Sequence, residues 1–182
     1  MDYVLSNCNL FDGTSDEENL REGVDIYVRD GSIAAITDHG EVEPGFQRID
    51  CAGKYAIPGL INLHVHLFGT GKPSKALSGG GGAQMLIKIT KTALGAKVLD
   101  SMVKSGAQAQ LASGVTTVRA VGDFHWSDVR LRDRINAGAV RGPRLLVSGP
   151  AITVPGGHGD GTFAQTATDP EELRALVRSH KE

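Results

Sequence analysis

The spacing of apolar positions changes near residue 57 and divides the chain into two regions. Up to residue 56 they come in short runs bounded by turn residues. Tyr3-Val4-Leu5 and Asn9-Leu10-Phe11 lead into Asp12-Gly13, a turn signal. The polar run from Thr14 to Glu22 predicts a surface loop. Val24-Asp25-Ile26-Tyr27-Val28 and Ser32-Ile33-Ala34-Ala35-Ile36 flank Asp30-Gly31, a pair that accepts positive φ at both positions and so predicts a two-residue hairpin. Gln47-Arg48-Ile49-Asp50 adds one more strand. The expectation for residues 1–56 is a small antiparallel β unit.

From residue 57 the pattern becomes strand, loop, helix, repeated. Ile57 to Leu67 reads as a strand entered through Pro58-Gly59. Strict alternation puts Ile61, Leu63, Val65 and Leu67 on one face and Asn62, His64 and His66 on the other. A helix is predicted from about residue 83 to 112, its apolar face marked by Leu94, Val98 and Met102 with Leu99 and Val103 beside them. Gly114 stops it before the β-branched strand Val115 to Val121. Ser127 is placed to cap a helix to about Ala137, with Gly138 as its left-handed stop. Arg144 to Gly149 is a third strand, followed by the turn Pro155-Gly156-Gly157-His158-Gly159. Asp169, Pro170 and Glu172 open a last helix with a capping-box pattern, and Leu173, Leu176 and Val177 are its expected buried stripe.

Three strand–loop–helix units in succession predict an α/β fold with a parallel sheet and right-handed crossovers. A closed barrel of eight such units takes about 250 residues. Three units leave two open sheet edges, so the pattern predicts part of a larger domain.

The candidate chemistry lies at the end of the first of these strands. Two imidazoles at i, i+2, about 6.6 Å apart along the backbone, can converge on one metal ion. A His-x-His pair alone is a weak signal. An apolar strand that turns polar at its carboxyl end, before glycines 69, 71 and 79–82, is how parallel α/β folds present their sites. The Gly79–Gly82 run is not a phosphate cradle, because Lys72 and Lys75 are misplaced for a Gly-Lys-Ser/Thr loop. His158 rims the pocket of a formed barrel, either touching substrate or lying in a solvent-exposed turn. His125, beside Asp123 and Trp126, carries the same two readings. Arg119 requires a partner wherever it is buried, and His39 and His180 read as surface residues.

Composition narrows the partners. The 19 basic and 21 acidic residues give a net charge of −2 without any like-charge run, so neither nucleic acid nor an anionic membrane surface is an expected partner. No window approaches the ~20 apolar residues of a membrane helix, and the first residues lack the basic and apolar regions of a secretory signal. Cys8 and Cys51 are expected as reduced thiols, in keeping with a cytoplasmic protein.

These motifs together resemble the amidohydrolase superfamily of metal-dependent hydrolases, in the branch of imidazolonepropionase-like and Xaa-Pro dipeptidase-like enzymes. Val24 to Ile36 is similar to the start of that family's β-sandwich domain. Ala56-Ile57-Pro58-Gly59-Leu60-Ile61-Asn62-Leu63-His64-Val65-His66 resembles its first barrel strand. Gly114 to Arg119 resembles the second, and Arg141 to Gly149, running into Gly156-Gly157-His158-Gly159, the third. The fold implied is a partial TIM-like (β/α)8 barrel, its first three βα units over residues 57–182, preceded by strands of a small β-sandwich domain over residues 1–56. The function implied is metal-dependent cleavage of a C–N bond in a small amide, cyclic amide or dipeptide-like substrate. His64 and His66 would be ligands to a divalent metal, zinc being expected, with His158 and His125 towards substrate. In the family the other ligands follow on later strands: a lysine on the fourth, often carboxylated, histidines on the fifth and sixth, and on the eighth an aspartate that commonly serves as general base. The resemblance therefore places no catalytic residue within this chain. It implies a truncated hydrolase, or an inactive fragment or subunit that pairs with a second copy or with a partner chain completing the barrel.

Overall fold

The computed structural model describes residues 2–14, 19–69 and 87–180. The chain divides into two compact units, Met1–Pro58 and Gly59–Glu182. The first is a five-stranded sheet of β1 (Tyr3–Phe11), β2 (Leu20–Arg29), β3 (Ser32–Asp38), β4 (Gln47–Asp50) and β5 (Tyr55–Ala56), in the order β3-β2-β1-β4, with β5 also on β1. The expected hairpin joins β2 to β3, with Asp30 and Gly31 at φ 52° and 75°. Two expectations are corrected. The runs Tyr3–Leu5 and Asn9–Phe11 are one strand, bent where Asn7 takes φ 58°. The sheet is also mixed, because β4 and β5 run parallel to β1. Residues 39–46 carry the chain back from the β3 edge, so β4 reaches β1 without a tight hairpin to impose an antiparallel sense. Leu20 and Arg21, assigned to a loop by their polar surroundings, pair with Phe11 and Leu10.

Cys8, Val24 and Ile26 form the buried centre of this unit. Cys8 and Cys51 are free thiols. The carboxylate of Asp25 is also buried in this unit. It accepts the backbone N–H groups of Asn7 (2.7 Å) and Gly40 (3.2 Å), and lies 2.9 Å from Nδ1 of the surface residue His39. Desolvation pushes the Asp25 pKa up, but the hydrogen bonds from His39, Asn7, Gly40 and Ser6 outweigh it and hold the group below the ordinary carboxylate range.

In the second unit β6 (Leu60–Val65), β7 (Val115–Ala120) and β8 (Arg144–Leu146) form the parallel sheet, in that order. Helix α1 (Ala93–Ala112) follows β6, α2 (Ser127–Asn136) follows β7, and α3 (Pro170–Ser179) comes last. Thr92 caps α1 by accepting the N–H of Gly95. The helix buries Gly95, Leu99, Val103 and Ala107, against Val118 and Ala120 of β7 and Leu145 of β8. The stripe Leu94, Val98 and Met102 is exposed instead, Leu94 at 74%. Both rows have helical spacing, and small residues decide between them. Gly106 lies so near the turn after β6 that a Cβ there would stand 2.2 Å from the Leu67 carbonyl oxygen, and the face carrying Gly106 and Ala107 permits that approach.

The start of α2 and the packing of α3 also differ from expectation. Ser127 does not cap α2. Trp126 precedes the helix in the left-handed conformation, and the Ser127 hydroxyl is buried without a partner among the described residues. Gly138 (φ 72°) is the expected stop. In α3 Asp169 caps the N–H groups of Glu171 and Glu172, while the Glu172 carboxylate bonds the N–H and hydroxyl of Thr168. Leu173 and Val177 are exposed and Leu176 is half-buried, so α3 buries no stripe within the described residues. Strand β8 spans three residues, not six, and a short parallel pair, β9 (Ala151–Thr153) and β10 (Ala164–Thr166), follows it.

Asp25→Asn is expected to destabilise the first unit by roughly 2–3 kcal/mol at neutral pH, since buried amides lose a charged acceptor. Because the folded pKa is depressed, that stabilisation is present above about pH 4 and is lost as pH falls through the folded value. Urea midpoints of both proteins across pH 3–7 check this, and the gap between them should close towards acid.

Candidate metal centre

The two histidines reach one place through an irregularity in β6. Asn62 pairs with Val118 and Val65 with Ala120, so β6 spends three residues where β7 spends two. One extra residue reverses the alternation. Val118 and Ala120 are both buried against the helices, and their partners Asn62 and Val65 lie on that side with Leu67. Ile61 and Leu63 stand 63% and 57% exposed on the other face. The single apolar face expected for Ile61, Leu63, Val65 and Leu67 is thus corrected, since the bulge splits it into two pairs. The groups the bulge unpairs are satisfied locally. The Asn62 side chain accepts the His64 N–H (3.2 Å) and donates to Gln110 (3.1 Å), and Arg119 donates to the Leu63 carbonyl (2.6 Å). The partner required by Arg119 is therefore a backbone oxygen of the neighbouring strand.

His64 and His66 come within 5.6 Å of each other, ring centre to ring centre, at an angle of 82°. His66 Nδ1 lies 2.7 Å from the carbonyl oxygen of Gly122. A carbonyl only accepts, so Nδ1 carries the proton and Nε2 keeps the lone pair that a metal would take. Phe163 (4.9 Å) and Phe68 (5.7 Å) stand beside the His66 ring. Among the described residues no group of three or more His, Cys, Asp or Glu side chains is placed to hold a metal. The two imidazoles fit a divalent metal in donor type and number only as part of a shell, because catalytic zinc sites take three protein ligands.

Two buried carboxylates lie behind this rim. Asp123 accepts the N–H groups of Phe68 (3.2 Å) and, at a longer 3.4 Å, Leu67. Asp128 accepts the N–H of Gly149 (3.0 Å), whose carbonyl accepts the N–H of Asp123 (3.0 Å). Burial, reinforced by the Asp128 charge, pushes Asp123 up to about 7 despite those amide bonds. Sequence reasoning passed over both aspartates. The available signal was an aspartate directly after the apolar end of a strand, beside a glycine.

The remaining histidines divide. His158 meets Phe163 edge-on at 5.5 Å, which brings it to the aromatic group around His66. His125 lies further round. Its backbone has φ 50°, and its Nε2 is 3.0 Å from the Thr90 hydroxyl. That hydroxyl already donates to Ile87, so Nε2–H is the donor to it. Desolvation, with Lys91 and Arg130 nearby, lowers the His125 pKa and keeps the ring neutral. His125 lines a cleft of about 440 Å³ with Lys91, Phe124, Trp126, Phe163 and Gln165. His180, expected at the surface, is half-buried. It lies tilted against the Trp126 ring (4.7 Å, 49°), and its Nε2 donates to the Pro150 carbonyl (2.8 Å). Glycines 79–82, Lys72 and Lys75 lie outside the described residues.

Residues 55–181 match the Amidohydrolase family. An imidazolonepropionase of Acidiphilium cryptum is 32% identical over 138 residues, covering 64% of this chain and 33% of the relative. A dihydroorotase of Desulforapulum autotrophicum is 44% identical over 54 residues, covering 29% of this chain and 13% of the relative. The crystal structure of a Xaa-Pro dipeptidase with methionine bound in its active site is 27% identical with a TM-score of 0.78, covering 100% of this chain and 44% of that one. The chain thus spans less than half the length of these relatives. No described helix is long and apolar enough to cross a membrane.

Asp123 should affect stability with the opposite sign to Asp25. Its folded pKa is raised from an ordinary carboxylate value to about 7, so the native state holds the extra proton. The second unit should therefore lose stability as pH rises from about 4 to about 7, by on the order of 4 kcal/mol from this group. Chemical denaturation at both pH values should show that decline in the wild type and a flatter profile in Asp123→Asn.

Proposed function

Because the chain belongs to the amidohydrolase family, we propose that it carries the first two metal ligands of a hydrolase that cleaves a C–N bond. The observation that carries this reading is the convergence of His64 and His66 at the carboxyl end of β6, with His66 Nε2 left as a donor. Residues 57–182 would be the first three βα units of a TIM-like barrel, and residues 1–56 strands of a β-sandwich domain. Ile61, Leu63 and Leu146 are exposed on the sheet face away from the helices, as expected of strands whose inner face is covered by further barrel strands. Those strands would bring the remaining ligands and the general base, from the same polypeptide or from a partner chain. Without them the 182 residues are inactive.

Zinc is the expected metal, since two imidazoles suit it. A divalent metal supplies Lewis acidity towards a scissile carbonyl and acidifies water at neutral pH. The residues of this chain do the rest of the work on this side. Gly122 fixes the protonation of the His66 ring, and Phe68 and Phe163 exclude water from its flank. His158 and the neutral His125, beside the cleft with Lys91, would touch a small amide, cyclic amide or dipeptide-like substrate.

Calorimetric titration of the 182-residue chain with zinc should show loose binding, micromolar or weaker, abolished in His64→Ala/His66→Ala. Binding that survives the double substitution would overturn the ligand assignment. A stoichiometric nanomolar site, or turnover of Xaa-Pro dipeptides or cyclic amides by this chain alone, would overturn the placing of further ligands elsewhere.

A further inference from the structure

The loop after β7 grips the turn after β6 at three successive residues. His66 donates Nδ1–H to the Gly122 carbonyl at 2.7 Å, and Leu67 and Phe68 donate their backbone N–H groups to the Asp123 carboxylate at 3.4 and 3.2 Å. Val121 adds a backbone bond to the Val65 carbonyl at 3.1 Å. The grip is itself anchored to β8. Asp123 donates its N–H to the Gly149 carbonyl, and Gly149 donates its own to Asp128, both at 3.0 Å. Asp123 and Asp128 are fully buried, and no Lys or Arg among the described residues forms an ion pair with either. Two carboxylates buried close together without a cation are costly to fold around. An arrangement kept at that cost, whose bonds fall on the residues flanking a predicted ligand, points to positioning.

We propose that Asp123 is a positioning residue for the metal centre, its carboxylate fixing the Leu67–Phe68 backbone so that His66 keeps Nδ1–H on Gly122 and presents Nε2. The inference rests on the reading of His66 as a ligand, and it adds the residue that sets the tautomer and aim of that ring. Asp128 acts one step further back, by holding the Gly149 peptide against which the Asp123 backbone is fixed. A group that orients a ligand in this way changes metal affinity by about 10–100-fold when removed.

Proton–nitrogen correlation spectra of the metal-free 182-residue chain test this directly. In the wild type His66 should be a single Nδ1–H tautomer, with the Leu67 and Phe68 amides slow to exchange. Fast exchange at both amides overturns the proposal and requires no variant. In Asp123→Ala, with helix content retained, His66 should average between tautomers and zinc affinity should fall about 10–100-fold, and Asp123→Asn, which keeps one acceptor oxygen, should recover part of both. An unchanged tautomer and affinity in Asp123→Ala overturns the proposal. Should the alanine variant fail to fold, amide exchange in the wild type and the asparagine variant still decide. If the wild type binds no zinc while Asp123→Ala still loses the tautomer, the metal reading fails and the positioning of His66 stands.

Discussion

The second unit depends on where its sheet places the extra residue of β6. Two parallel strands of equal pace would hold His64 on the helix side with Asn62, where an imidazole would compete for space with Leu99 and Val103. The bulge between Asn62 and Val65 turns both histidines to the open face while returning Val65 and Leu67 to the core. A bulge in a parallel sheet leaves backbone groups unpaired. Here Asn62 and Arg119 take them, so both polar side chains at this level are explained by the strand they repair.

Once the histidines leave the ladder, the Gly122 carbonyl after β7 holds His66 and the Asn62 side chain holds the His64 backbone. β6, β7 and β8 are parallel and end together at one edge, with Val65 opposite Ala120 and Arg119 opposite Leu146, so Gly122, Asp123 and Gly149 are within reach of one another. The backbone of each loop is bonded by the next, and the buried carboxylates of Asp123 and Asp128 accept amides that would otherwise lack partners. Close packing from outside matches this. Gly106 lets α1 approach the Leu67 carbonyl, and a Cβ at Gly149 would stand 2.4 Å from the Trp126 ring. The rim is thus held by backbone bonds and small residues, and its side chains are left to face the pocket.

Charge serves opposite ends in the two units. Asp25 is buried with enough donors to keep it ionised, so it reinforces the first sheet at neutral pH. Asp123 is desolvated by burial, stands beside the Asp128 charge and has fewer donors, so it favours its protonated form well above the ordinary range. The difference follows from the Asp128 charge and from how many donors offset desolvation. Asp25 receives three amide or imidazole bonds on an interior strand of the first sheet, while Asp123 receives two amides, one of them long, beside a second buried carboxylate.

Local signals in the sequence determined what local physics decides. The Asp30-Gly31 hairpin, the stops at Gly114 and Gly138, the Asp169 cap and the parallel order of three β-strands follow from φ preferences, capping and apolar spacing within a few residues. The His-x-His pair at the end of an apolar strand, with three further motifs in order, sufficed to identify the family. What needed the tertiary structure depends on neighbours distant in sequence. Period two cannot reveal a bulge, because the extra residue is defined only against β7. Helical period cannot choose between the rows at Leu94 and Leu99, because the choice is made by how near the sheet lies. The reading of Asp123 required contacts 55 and 56 residues away. Its chemistry was written in the chain as one more aspartate in a loop, and only the fold gave it the amides of the turn that carries His66.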